Sequence, residues 1–149
     1  MADLTRSFLF PLKKTQQYFK MVALKDWTSR VLPEKDQKTP LARMNFLVIY
    51  SLAPNMAKIS IRPTRGKQVH KFVLYIPVSE EGSVLELGQF FSEYDVLHTS
   101  GFCTHEDCIC YEAYFPEEGL DIKKRAIEEK IREIKGGLSF KWEILELSS

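Results

Sequence analysis

The residues best suited to chemistry in this 149-residue chain are three cysteines and two histidines between residues 98 and 110. Thiolate and imidazole groups are the ligands that zinc prefers. A zinc site in this stretch would use Cys103, His105, Cys108 and Cys110. The C-x4-C-x-C spacing is not that of a standard zinc knuckle, so buried or unreactive thiols are the favoured interpretation.

The same stretch allows two other kinds of thiol chemistry. Oxidation could join Cys103 to Cys108 across a hairpin. In an enzyme, Cys103 would be the nucleophile, and its base and orienting group would come from His98, His105, Glu106 and Asp107. Catalytic groups usually converge from distant segments, and the chain has no P-loop, Rossmann, His-Glu-x-x-His or EF-hand pattern. The sequence therefore favours a protein that is not an enzyme and holds no cofactor, with zinc as the alternative.

A second group of candidate residues is a basic tract between residues 58 and 71. It consists of Lys58, Arg62, Arg65, Lys67, His70 and Lys71. Alternation along a strand would place Lys58 and Arg62 on one face, with Ile59 and Ile61 on the other. Cations that project together suit contact with the phosphates of a nucleic acid or another polyanion. A solvated basic face is the plainer interpretation.

Charge is divided unevenly along the chain. Residues 1–79 contain 14 Lys and Arg against 4 Asp and Glu, whereas residues 80–149 contain 7 against 16. The resulting net charges of +10 and −9 are hidden in a total of +1. Such asymmetry indicates an anionic partner for the basic half, or self-association between complementary halves of two copies.

Length and composition set the broad class. A hydrophobic fraction of 44% and a charged fraction of 28% are typical of a folded globular protein, and 149 residues are expected to form a single domain. No apolar run approaches the roughly 20 residues that span a bilayer, so no membrane partner is expected. The odd number of cysteines and the acidic Asp3 near the start, where a secretory signal would be basic, predict a cytoplasmic location.

The spacing of apolar residues predicts the elements that position these groups. A helix is expected after Pro11, with Leu12, Thr15, Tyr18, Phe19, Val22 and Trp27 near one face, and a loop follows at residues 32–40. Predicted strands cover residues 44–52, 58–62, 71–78, 96–103, 108–115 and 139–147. Two further helices are predicted over residues 83–94 and 121–135.

The order of these elements predicts the fold class. From residue 70 onward it is β-α-β-β-α-β, the order of an α+β, ferredoxin-like sandwich with both helices on one face of an antiparallel sheet. Residues 1–40 would add a helix and a loop, residues 41–69 would add two extra strands, and residues 70–149 would form the ferredoxin-like unit.

One part of this predicted unit resembles the opening of an ACT regulatory domain. Residues 76–87, IPVSEEGSVLEL, followed by residues 90–97, FFSEYDVL, have the strand, glycine-bearing turn, amphipathic helix and second strand of that family. The resemblance implies a non-catalytic module that binds a small ligand or pairs with itself, with Glu81, Gly82 and Ser83 lining the site.

Three functions are therefore predicted. The first is a non-enzymatic regulatory or interaction module that binds a small ligand or a protein partner as a monomer or a dimer. The second is a nucleic-acid or polyanion-binding protein that uses the basic tract. The third is a small zinc-binding or cysteine-dependent protein.

Overall fold

The computed structural model describes residues 5–11, 14, 44–53, 55–134 and 138–148. The strands in these ranges are β1 (Thr5–Pro11), β2 (Asn45–Ala53), β3 (Met56–Thr64), β4 (Gln68–Pro77), β5 (His98–His105), β6 (Cys108–Pro116) and β7 (Ser139–Glu146). The α-helices are α1 (Val84–Phe91) and α2 (Leu120–Glu133), and a 3-10 helix, Val78–Ser83, precedes α1. None of the described helices is both long enough and apolar enough to cross a membrane.

The chain divides into two compact units. Thr5–Gln68 together with Leu145–Ser149 form one, which we call the basic unit, and Val69–Ile144 fall in the other, which we call the acidic unit. These names reflect net charges that are given below.

The basic unit contains a three-stranded antiparallel sheet in the order β1-β2-β3. The apolar run of β2 is buried on both faces, since Leu47 and Val48, which point to opposite sides, are both inaccessible to solvent. The segment that follows β7 lies beside β1, where the backbone N–H of Ser148 donates to the carbonyl oxygen of Leu9 at 2.9 Å. β3 is an edge strand of this sheet.

The acidic unit contains a four-stranded sheet in the order β5-β6-β4-β7. The pairs β4/β6 and β5/β6 are antiparallel. Both helices pack on the face that presents Phe72, Leu74, Ile76, Tyr111, Ala113 and Phe115. Helix α2 contributes Ile127 and Ile131, whose spacing of four residues puts both on one side of the helix.

The predicted fold class, an α+β ferredoxin-like sandwich extended by an N-terminal helix and two extra strands, is wrong. The described residues are mostly strand, in separate sheets of three and four strands, and only two α-helices lie among them. The two extra strands, β2 and β3, form their own sheet with β1, a strand that was not predicted. Periodicity identifies a strand from its own residues, but the sheet that the strand joins depends on distant partners.

Several single elements agree with their predicted positions. The strand predicted over residues 44–52 corresponds to β2, and the helix predicted over residues 121–135 corresponds to α2. The helix predicted over residues 83–94 is shorter, because α1 ends at Phe91. The helix predicted after Pro11 and the loop at residues 32–40 lie almost entirely outside the described residues, and Pro11 itself ends β1.

Candidate functional site

The boundary between the two units falls inside the basic tract. Gln68 is the last residue of the basic unit in this stretch, and Val69 begins the acidic unit. The side chains on the basic-unit side are all exposed: Lys58, Arg62, Arg65 and Lys67. Those on the acidic-unit side, His70 and Lys71, are only 9% and 2% exposed. The structure thus separates four surface cations from two buried side chains.

Lys71 forms a buried ion pair with Glu112. Its Nζ lies 3.2 Å from Oε2 of Glu112, which is 0% exposed, and 5.8 Å from the ring centroid of Tyr114. Removing either member of a buried pair leaves an uncompensated charge in a low-dielectric site. Because Glu112 comes from β6, far along the chain, nothing in the sequence around Lys71 indicates this partner.

His70 adds no positive charge to the surface at neutral pH. Burial lowers the pKa of His70 below its usual 6.5, and the nearby charge of Lys124 lowers it further, while Glu117 and Asp121 act in the opposite direction. The Nδ1 atom is buried and has no hydrogen-bond partner among the described residues. The imidazole is therefore neutral in the folded protein under ordinary conditions.

The sheet of the basic unit carries an aromatic patch on the face opposite to the one from which Lys58 and Arg62 project. Arg6, Tyr50 and Ile59 are register partners across the three strands and so share one face, as does Phe8, two residues beyond Arg6. Phe8 is 45% exposed and Ile59 is 48% exposed. The ring of Phe8 meets that of Tyr50 edge-on, with centroids 5.9 Å apart.

We call this set of six side chains the aromatic-basic surface: Arg6, Phe8, Tyr50, Lys58, Ile59 and Arg62. Lys58 and Arg62 alternate with Ile59 along β3 and so project from the opposite face of the sheet, and a flexible ligand that bends around the edge strand β3 reaches both faces. Phe8, Tyr50 and Arg6 were not predicted as site residues. The Phe8-Leu9-Phe10 run was the signal that could have revealed β1, since aromatic residues favour strands.

The turn with the ACT-like sequence is accessible to solvent. Glu81, Gly82 and Ser83 lie in the 3-10 helix, which contains no buried residue, and Glu81 and Gly82 are exposed. A Cβ atom added to Gly82 would meet nothing within 4 Å, so this glycine is not needed for a close approach of another group.

The three thiols lie on the β5–β6 hairpin. Cys103 is the register partner of Cys110, and Cys108 is that of His105. The Sγ atoms of Cys108 and Cys110 are 3.5 Å apart, and both residues are buried. Burial, together with the neighbouring Cys108 thiol, raises the pKa of Cys110 to about 12. None of the three cysteines, all of which lie in the described part of the chain, is in a disulfide, so the bond considered between Cys103 and Cys108 is not formed.

The four residues predicted to hold zinc do not form a recognisable metal centre in the part of the chain that the structure describes. No group of three or more His, Cys, Asp or Glu side chains there is placed to hold a metal ion. The side chain of His105 lies outside the described residues. A zinc site made by Cys103, His105, Cys108 and Cys110 therefore stays a prediction.

A cavity of about 320 Å³ opens beside the β5–β6 turn. It is lined by Tyr75, Pro77, Glu106, Asp107, Cys108 and Ser139. Glu106 has a left-handed φ of 54°, as the two-residue turn between β5 and β6 requires. The cavity gives solvent access to the end of the hairpin where Cys108 lies, and its lining does not include residues 81–83.

Comparison of the chain with protein-family models, with curated proteins and with solved structures gives no match. The ACT-like resemblance therefore stays a prediction from residues 76–97. Support for a function therefore comes from the exposed side chains and the charges of the two units.

Proposed function

We propose that the protein binds single-stranded nucleic acid through the aromatic-basic surface of its basic unit. The observation that supports this proposal is the exposed ring of Phe8, which lies with Tyr50 and Arg6 on one face of the sheet, while Lys58 and Arg62 project from the other face of the edge strand β3. Cations contact phosphates, and aromatic rings stack on unpaired bases.

The distribution of charge between the units also supports a polyanionic ligand. The basic unit contains 13 Lys and Arg against 4 Asp and Glu, a net charge of +9. Val69–Ile144 contain 8 against 15, a net charge of −7. Among the described residues of the basic unit the contrast is sharper, with six cations and Glu146 as the only acid. Such a field attracts a polyanion to one unit and repels it from the other.

Unpaired bases fit this surface better than a duplex does. Exposed rings on a sheet can stack on bases whose faces are free, as in other sheet-based platforms for single strands. In a duplex those faces are covered by neighbouring base pairs, and sequence is read in the grooves instead. The surface should therefore prefer single strands and show little sequence specificity.

Anisotropy of a labelled single strand of roughly 12 nucleotides, a length within the range that small binding domains cover, tests the proposal at two salt concentrations. We expect binding that weakens as salt rises. Reversing Lys58 and Arg62 of this surface, together with the exposed Arg65 that follows β3, to Glu should abolish binding at moderate salt, because about three phosphate contacts and their counterion release are lost. A duplex of the same length should bind more weakly than the single strand.

A matched control applies the same charge change to the acidic unit. The variant in which Lys123, Arg125 and Arg132 of α2 become Glu has the same net charge as the test variant, and it should keep most of the binding. Equal losses in both variants would show that only net charge matters and would overturn the proposed surface. Light scattering on the same samples separates loss of binding from dissociation of a dimer, and circular dichroism checks that each variant is folded.

The regulatory module implied by the ACT-like sequence has less structural support. Glu81 and Gly82 lie on an open turn, whereas the cavity beside the β5–β6 turn is lined by other residues. Small-molecule sites are usually concave. Binding of a small ligand at residues 81–83 is therefore the weaker of the two proposals.

A further inference from the structure

The β5–β6 hairpin holds two buried thiols side by side. Cys108 and Cys110 are two residues apart on β6, so their side chains point to the same face of the sheet. Their Sγ atoms are 3.5 Å apart, and the residues are 8% and 1% exposed. The backbone of a paired central strand holds both Cα atoms in place, because β6 is bonded to β5 on one side and β4 on the other.

From this geometry we infer that Cys108 and Cys110 form a binding site for one soft monovalent metal ion, of which Cu(I) is the biological example. Soft thiolate ligands select Cu(I), whereas oxygen ligands select hard ions such as Mg²⁺ and Ca²⁺. Structural zinc is almost always held by four ligands. The described residues offer no set of three or more side chains for such an ion, so a pair of thiolates suits an ion that accepts few ligands.

The surroundings of the pair give a cation a path to the thiols. Cys108 lines the cavity at the turn, and Glu106 and Asp107 lie in the same lining. A positive ion that enters the cavity therefore meets carboxylates before it reaches the sulfur atoms, and such a field raises its local concentration.

Binding of Cu(I) by the two thiols conserves protons and charge. Each thiol loses its proton as its sulfur bonds to the ion, so one Cu(I) replaces two protons, which pass to solvent. The oxidation states of sulfur and copper do not change. This site is independent of the proposed nucleic-acid surface, because all its residues belong to the acidic unit.

Anaerobic titration with Cu(I), supplied as its acetonitrile complex in competition with a chromogenic Cu(I) chelator, tests the inference. We expect the full-length reduced protein to remove one equivalent of Cu(I) from the chelator, with the ultraviolet absorption of a copper–thiolate bond. Cys108→Ser and Cys110→Ser should each lose this equivalent. The alanine variants Cys108→Ala and Cys110→Ala should show the same loss. Agreement between the serine and alanine variants would show that the missing thiol, and not misfolding caused by one substitution, explains the loss.

Cys103→Ser is the matched control, because it removes the remaining cysteine of the chain. It should keep the one equivalent: Cys103 shares the face of its register partner Cys110, but no third side chain among the described residues is placed to hold the ion, and the Cys103 thiol donates to the carbonyl oxygen of Ser100 at 3.5 Å. Retention of Cu(I) by a folded Cys108 or Cys110 variant would overturn the site. Equally tight binding of Zn²⁺ by the wild-type protein would also overturn the assignment and would favour a four-ligand site that includes His105.

Discussion

Arg62 and Lys71 belong to the same basic tract but have opposite roles in the two units. Arg62 is exposed on β3, and Lys71 is 2% exposed on β4 and paired with Glu112. Only eight positions separate them in the sequence. The contrast teaches that a run of cations is not one surface when a boundary between compact units passes through it.

The difference follows from the position of each strand in its sheet. β3 is an edge strand, and its cations reach solvent at the rim. β4 lies between β6 and β7, and both of its faces are buried around Phe72 and Val73. A cation on such a strand is stable only if a carboxylate and further polar contacts replace its hydration shell.

The largest expected effect comes from breaking the buried pair. Glu112→Gln should lower the free energy of unfolding by about 3–5 kcal/mol, because Lys71 would keep a buried charge without its counterion. Urea denaturation of the two proteins measures this difference. The double variant Lys71→Met/Glu112→Leu should be more stable than Glu112→Gln, since it buries no charge at all.

An exposed ion pair provides the control for that experiment. Arg132 and Glu128 lie one turn apart on α2, with their charged groups 3.6 Å apart and the arginine largely in solvent. Glu128→Gln should cost about 0.5 kcal/mol or less. A similar cost for Glu112→Gln would mean that the Lys71–Glu112 pair is hydrated, and the contrast between the two regions would fail.

A smaller effect is expected from removing the exposed aromatic ring of Phe8 in the basic unit. Phe8→Ala should weaken binding of a single strand by roughly 5- to 150-fold, the equivalent of about 1–3 kcal/mol for one stacked base. The salt dependence should stay the same, because no phosphate contact is lost. Anisotropy titrations at several salt concentrations measure both quantities.

Ile59→Ala is the matched control, because Ile59 is exposed to a similar extent on the same face of the sheet but has no ring. It should change the affinity much less than Phe8→Ala does. If the two variants lose affinity equally, the surface makes general apolar contacts and stacking is not the mechanism.

The smallest effect concerns pH and the buried histidine. The pKa of His70 is lower in the folded chain than its usual 6.5, so the unfolded chain binds a proton more readily. Its contribution to stability is therefore fully present above pH 6.5 and is lost as the pH falls below that value. His70→Gln should flatten this part of the stability profile, as measured by urea denaturation across the range.

Nucleic-acid binding near pH 7.5 should be unchanged in His70→Gln, because a neutral imidazole contributes no phosphate contact. A marked loss of salt-dependent binding in this variant would return His70 to the binding surface and would contradict its assignment to the interior.

The local sequence pattern predicted those helices and strands that can be recognised from their own residues, without knowledge of the elements they pack against. The isoleucine spacing of α2 and the apolar run of β2 each carry their own signal, and both elements are present. The fold class was not predictable in this way, because the separate sheet that β1 forms with β2 and β3 depends on pairing between residues far apart in the chain.

The candidate sites show the same limit. The basic tract and the cysteine cluster were visible as residue types, but Phe8 lies 50 residues before Lys58 and joins it only through the β1-β2-β3 sheet. Alternation along a strand puts Cys108 and Cys110 on one face, whereas the 3.5 Å between their sulfur atoms depends on side-chain packing. The residue types therefore indicated which segments contain candidate sites, and the sheet pairing determined which side chains form each site.

The sequence by itself determined the separation of charge, the length and type of most elements and the grouping of thiols on one hairpin, because these depend on residues close together in the chain. Only the tertiary structure decided that β3 is an edge strand and β4 an interior one. That decision exposes Arg62 and buries Lys71 against Glu112. The physical reason is that solvation depends on neighbours in space, and the neighbours of these two cations come from distant strands.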